Sequence, residues 1–233
     1  MATFLVAHGA WSAGWAWKKM RPLMAAHGHE LFTPSYTGLG ERAHLAHRDV
    51  NLETHIQDIL TVLDVEDLRD VILIGHSYGG MVATGVADRA AGRIKHLVYL
   101  DAFVPESGKA LHDYVSAERR ESGRRNAVDG WKVPSSPIPP DTSPEDVAWL
   151  SPRRMPQPLQ CFEQALVLRN GPLRLPRTYI YAQRHNPGDP FRQFMERARK
   201  EGWPVYEMDA SHSPHVTAPQ ALMDILDKVA RSN

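Results

Sequence analysis

The sequence predicts a doubly wound α/β fold, a mostly parallel sheet of about six strands with helices on both faces and one long insertion. Three observations carry this expectation. Apolar runs of strand length alternate with longer stretches of helical character, the pattern of a covered parallel sheet. A glycine-rich turn joins one of these runs directly to the next helical stretch. A proline-rich segment over residues 105–175 interrupts the alternation. A length of 233 residues fits one domain with an insertion, at roughly 100–200 residues per domain.

Taken in order, strands are expected at residues 3–7, 30–34, 70–75, 96–100, 178–182 and 205–208, each a short run bounded by polar or turn-forming residues. Helices are expected at 15–27, 52–65, 81–91, 190–201 and 219–231. Asn51 suits the N-cap of the second helix, because its side chain can accept from an orphan N–H of the first turn. Pro190 and Pro219 suit first-turn positions, where a missing N–H costs nothing. The core is therefore read as residues 1–104 and 176–233. Ten of the eighteen prolines fall within 134–176. Pro134, Pro137, Pro139 and Pro140 cannot donate to a sheet ladder, so residues 105–175 are expected to form a cap of loops and short helices rather than more sheet. Trp131, Trp149 and Phe162 in that stretch either cover an apolar pocket or belong to the core.

The charges balance at 27 basic and 27 acidic residues, with no long block of either sign, which disfavours nucleic acid and anionic lipid as partners. Cys161 is the single cysteine, so a disulfide framework and a cysteine-rich zinc site are excluded. The apolar run at residues 4–7 is far shorter than the ~18 residues a spanning helix needs. No membrane association and a cytoplasmic location are expected.

The chemistry concentrates in Gly75-His76-Ser77-Tyr78-Gly79-Gly80, between the apolar run Val71-Ile72-Leu73-Ile74 and a helical stretch. A serine on so tight a strand-to-helix turn needs small neighbours, and the strain pushes its hydroxyl into the open beside a helix N-terminus that favours negative charge. The bland alternative is an ordinary glycine-rich turn. The turn lacks the G-x-G-x-x-G spacing and the P-loop lysine, so no nucleotide cofactor is implied. The pairs His44/His47 and His212/His215 have no carboxylate that completes a metal motif, so no metal is expected.

Together with His8-Gly9-Ala10-Trp11, Gly14-Trp15-Ala16-Trp17 and Ser211-His212-Ser213-Pro214-His215, this turn makes the chain resemble the α/β-hydrolases, in particular the branch of plant methyl-ester esterases and hydroxynitrile lyases. The resemblance spans the sheet and fades in the insertion. It implies Ser77 as nucleophile, His212 as base, and the N–H groups of Ala10 and Tyr78 as an oxyanion hole. His215 is the nearest competitor for the base. The acid departs from the family's pattern: the usual place reads Gln183-Arg184-His185-Asn186, with no carboxylate before Asp189. Asp101, at the end of the strand after the serine's helix, matches an alternative acid position of some lipases. Asp101 is preferred because a strand end is held more rigidly; Asp189, on a Pro187-Gly188 loop folded back, and a two-residue Ser–His site remain open. Trp11 and Phe103 are expected to line the substrate pocket. Lyases of the branch carry Lys directly after the base, where this chain has Ser213, which disfavours lyase chemistry.

The function expected is a cofactor-independent serine carboxylic ester hydrolase, acting through an acyl-enzyme on small to medium apolar or aromatic esters. Its partner is a small-molecule ester, and a homodimer is compatible with the sequence. The rivals are a non-hydrolytic enzyme on the same scaffold and a ligand-binding protein that keeps the hydrolase shell.

Overall fold

The computed structural model describes residues 1–184 and 189–232. Along the chain run β1 (Thr3–Ala7), a 3₁₀ turn at Gly14–Trp17, α1 (Met20–Ala26), β2 (Glu30–Phe32), α2 (Leu52–Val65), β3 (Val71–His76), α3 (Gly79–Arg89) and β4 (Ile94–Leu100). The insertion holds α4 (Ala117–Arg125), β5 (Lys132–Val133), α5 (Pro144–Leu150), β6 (Gln157–Pro158) and α6 (Gln160–Glu163). The chain then returns through β7 (Arg177–Ala182), α7 (Arg192–Lys200), β8 (Val205–Met208), α8 (Pro214–Thr217) and α9 (Pro219–Arg231).

Six strands make one parallel sheet in the order β2-β1-β3-β4-β7-β8. Alternation of side chains along the strands gives each face its own core. Leu5 and Ala7 of β1, with Leu73 of β3, pack against Leu52, Ile56, Ile59 and Leu63 of α2 and Val82 and Val86 of α3. Phe4, Val6, Ile72 and Ile74 point the other way, onto Met20 and Met24 of α1 and Leu222 and Leu226 of α9. Asn51 caps α2 as expected, accepting from Thr54 N–H at 3.0 Å while the Thr54 hydroxyl accepts from Asn51 N–H.

The departures from the expected elements have physical causes. Residues 15–27 do not form one helix: Pro22 lacks an N–H, and its ring would meet the Lys18 carbonyl in a continuous helix, so α1 restarts at Met20 with Pro22 in its first turn. The strand expected at 30–34 stops at Phe32, on the sheet edge, before Pro34. Asp70 sits at φ 52°, outside the strand, and β3 runs on to His76 opposite Leu100. β4 begins at Ile94 rather than residue 96, across a bulge in its pairing with Val71–Ile72. The helix after Ser77 begins at Gly79, two residues early, and ends at Arg89. Pro190 is not in a first turn, since α7 starts at Arg192; Pro219 is. The insertion carries three α-helices, two short 3₁₀ helices and, beyond the expected loops, a two-stranded antiparallel ribbon in which Val133 stands opposite Gln157. Among the described residues no helix is long and apolar enough to cross a membrane.

Candidate active site

Ser77 leaves the end of β3 at φ 56°, in the left-handed region that costs a non-glycine residue roughly 1–2 kcal/mol. The turn closes because its neighbours are small: a Cβ on Gly79 would collide with the Ala7 carbonyl, and one on Gly75 would lie 2.9 Å from Ala83 Cβ. The Ser77 backbone is pinned on both sides, its N–H donating to Leu100 O at 3.3 Å and its carbonyl accepting from Phe103 N–H at 3.2 Å. The hydroxyl therefore stands at the C-terminal edge of the sheet, over the start of the eleven-residue helix α3.

Asp101 ends β4 at φ 43° and is wholly buried. Its N–H donates to Ile180 O at 2.7 Å, and its Oδ1 accepts from Ala182 N–H at 3.2 Å, which anchors the carboxylate between β4 and β7. Its Oδ2 lies 2.6 Å from Nδ1 of His212, in the loop after β8, and His212 Nε2 lies 2.8 Å from Ser77 Oγ. The His212 ring stacks on Phe191, with centroids 4.8 Å apart. Asp189 is engaged elsewhere: it accepts from the Tyr181 hydroxyl at 2.5 Å and from Phe191 N–H at 2.7 Å. The loop of Pro187-Gly188 that would fold it back lies outside the described residues. His215 is set beneath the site, stacked on Trp17 with centroids 4.6 Å apart.

Ala10 lines the same cavity as Ser77 and Tyr78 follows the serine directly, and among the described residues neither backbone N–H donates to a protein acceptor. Trp11 and Phe103 line a cavity of about 750 Å³ that also reaches Ser77 and His212. Its lining includes the aromatic Tyr78, Phe162 and Phe191, and residues 115–154 add both polar side chains (Ser122, Asn126, Ser135, Arg154) and apolar ones (Val133, Ile138, Leu150). Trp131 and Trp149 do not line it: Lys132 Nζ lies over the Trp131 ring at 4.8 Å, and Trp149 packs edge-on against Trp15.

His76 stands inside the serine motif, where nothing in the motif assigns it a task. In the structure its Nε2–H donates to the His212 carbonyl at 2.7 Å, so the residue before the serine holds the loop that carries the imidazole. His8 and His55 are equally buried. His8 donates from Nδ1 to Gly9 O and accepts at Nε2 from Tyr36 N–H; His55 donates from Nε2 to Thr37 O and accepts at Nδ1 from the Tyr78 hydroxyl. Burial pushes His8, His55 and His76 down to about 3 and His215 well below its ordinary value. Above pH 6.5 these imidazoles are neutral in the folded and the unfolded chain alike. As pH falls from 6.5 toward 3, the unfolded chain binds protons that the folded chain refuses, so each of the first three withdraws stability over that range. Urea titrations at pH 7.5, 6.0 and 5.0 should show a steep loss of stability below pH 6.5, and a midpoint unchanged down to pH 5 would contradict it.

Residues 4–225 match the Alpha/beta hydrolase family. The chain belongs to that family. A carbendazim hydrolyzing esterase of Nocardioides sp. (strain SG-4G) is 41% identical to this hydrolase over 239 residues, covering 97% of this chain and 98% of the relative. Among solved structures, an extracellular alpha/beta-hydrolase from a Paenibacillus species superposes with a TM-score of 0.87 at 24% identity, covering 98% of each chain. A methylesterase from Arabidopsis superposes at 0.80, also at 24% identity, covering 100% of each. These two bear on the fold. The hydrolase is an enzyme of the esterase type.

Proposed function

We propose that this hydrolase cleaves carboxylic esters through an acyl-enzyme formed on Ser77. The observation that carries the reading is the continuous chain from the buried Asp101 carboxylate through His212 to the Ser77 hydroxyl, at 2.6 and 2.8 Å. With Nδ1–H donated to Asp101, His212 presents an unprotonated Nε2 to the serine. The imidazole takes the hydroxyl proton as Oγ attacks the ester carbonyl, and Asp101 stabilises the imidazolium that results. The oxyanion is received by the N–H groups of Ala10 and Tyr78 beside the positive end of α3, an arrangement in which each donor contributes about 3 kcal/mol. His212 then protonates the departing alkoxide, and water, deprotonated by the same imidazole, releases the acid.

Residues 105–175 act as the cap over this centre. The aromatic lining contributed by Trp11, Tyr78, Phe103, Phe162 and Phe191 supports a substrate with a ring or a bulky apolar group, and the polar Ser122, Asn126 and Arg154 in the same lining support a hydrogen-bonding group on it. The relative named for carbendazim makes that compound a natural second substrate to assay beside p-nitrophenyl esters. Ser213 after the base, in place of the lysine of the related lyases, supports hydrolysis over lyase chemistry.

A fluorophosphonate probe is expected to label one residue per chain, mapped by mass spectrometry to the peptide containing Ser77, and to abolish turnover of p-nitrophenyl acetate in proportion to labelling. Turnover that persists in fully labelled protein, or a label on another residue, would contradict the reading.

A further inference from the structure

The loop that carries the Ala10 N–H is strained and short, and something must hold it. Trp11 follows Ala10 at φ 58°, a left-handed conformation that a tryptophan does not favour. From below, the loop rests on the serine turn, where a Cβ on Gly9 would lie 2.7 Å from His76 Nδ1. From above, three bonds reach Trp11 from the insertion. Its backbone N–H donates to Gln157 Oε1 at 2.9 Å, its indole Nε1–H donates to Val133 O at 3.0 Å, and its carbonyl accepts from Met155 N–H at 3.4 Å. Val133 and Gln157 are directly opposed partners in the β5–β6 ribbon, so one rung of that ribbon grips both the backbone and the ring of a single residue. Gln157 is wholly buried, and its amide oxygen faces a backbone N–H that would otherwise be left without an acceptor.

We infer that the β5–β6 ribbon is a clamp for the oxyanion loop, with Gln157 a positioning residue that fixes the Trp11 peptide and, through it, the direction of the Ala10 N–H. The inference rests on the proposed esterase reading, since it assigns Gln157 a part in that same site. Gln157 touches the loop and not the reacting atoms, so its loss should weaken binding of the tetrahedral transition state while leaving ground-state binding nearly intact. It also means that this rung cannot lift away with the rest of the insertion without releasing the loop from its strained conformation.

The test is Gln157→Met, which keeps the volume and removes the acceptor, with Trp11→Phe, which keeps an aromatic ring while removing the indole donor together with part of the ring that lines the cavity. Rates are expressed per active site titrated with a fluorophosphonate, so that unfolded protein lowers the titre rather than the rate. Gln157→Met is expected to lower kcat for p-nitrophenyl acetate about 10- to 100-fold with KM changed less than threefold. Affinity for a trifluoromethyl ketone, which forms a tetrahedral adduct, should fall by a similar factor. Trp11→Phe is expected to lower kcat about threefold to tenfold and carries the test by itself if Gln157→Met does not fold. Gln157→Glu, which retains an acceptor oxygen, should recover part of the loss. A kcat per titrated site within twofold of the parent in the folded variants overturns the clamp while leaving the esterase reading intact. Absence of Ser77-dependent turnover in the parent protein overturns both.

Discussion

Ser77→Ala is expected to lower kcat for a p-nitrophenyl ester by about 10⁶-fold, the loss typical when the nucleophile of a serine hydrolase is removed. Alanine keeps the Cβ, so the bonds that fix the turn, from Ser77 N–H to Leu100 and from Phe103 N–H to Ser77 O, remain available, and the variant should fold. What disappears is the one atom able to form the acyl bond. His212, Asp101 and the Ala10 and Tyr78 amides stay in the site, so a residual acceleration of about 10³ over water is expected from positioning and oxyanion stabilisation alone. In energetic terms a 10⁶-fold loss is about 8 kcal/mol of barrier. Substrate affinity, measured by equilibrium binding to the inactive variant, should change less than threefold, because the hydroxyl contributes little to the ground-state complex. A Ser77→Ala protein that retains even a tenth of the parent's turnover would remove the acyl-enzyme mechanism.

Three of the six non-glycine residues at positive φ among the described residues, Trp11, Ser77 and Asp101, show how far the site departs from local preference. Ser77 and Asp101 directly follow strands and Trp11 lies in the loop after β1; none is the glycine that such a conformation favours, and each belongs to the arrangement around the serine. Strain of this kind persists only where the surroundings over-determine it. Here the surroundings are the collision-limited turn at Gly79, the strand-end bonds of Asp101 to Ile180 and Ala182, and the grip of the β5–β6 ribbon on Trp11.

Much of this was legible in the sequence because it is written locally. The bounds of β1, α2, β8 and α9 follow from runs with clear periodicity and clear end signals, such as the Asn51 cap and Pro219. The serine turn was legible because strand, glycine and helix signals adjoin within a dozen residues. Where tertiary constraint overrides propensity, the reading failed: a helix that starts on Gly79-Gly80 is a poor local choice, made by the close approach of β1 and of the Phe103 backbone. The break at Pro22 was legible in principle, from the missing N–H alone. Gln157 could not have been found in this way. It meets Trp11 from 146 positions away, in a proline-rich stretch with no periodicity, and no pattern in one chain links the two. His76 is intermediate: visible in the motif, but its bond to the His212 carbonyl depends on how a distant loop returns.

The acid was the member of the site that the sequence left open, and two conservative substitutions separate the candidates. Asp101→Asn is expected to lower kcat about 10⁴-fold. The asparagine oxygen can still accept from Ala182 N–H, so the strand end should hold; its NH₂ group then faces His212 Nδ1 and donates to it. That forces the proton onto Nε2, where it meets the Ser77 hydroxyl as a donor and can no longer accept. The imidazolium also loses its buried negative partner. Asp189→Asn leaves this chain untouched. Asparagine can still accept from Phe191 N–H or the Tyr181 hydroxyl, though not as strongly from both, so the cost falls on local stability near α7 and kcat should stay within about threefold. Both variants are measured at saturating p-nitrophenyl acetate, normalised to titrated sites. A 10⁴-fold loss in Asp189→Asn with Asp101→Asn nearly unaffected would reassign the acid, and full activity in both would reduce the machinery to a Ser77–His212 pair. The geometry favours the loss in Asp101→Asn, because a carboxylate that uses one oxygen on Ala182 and the other on the imidazole orients the ring and neutralises its charge at once. Asp189, with one oxygen on the Tyr181 hydroxyl and the other on Phe191 N–H, is committed to a different pair of donors.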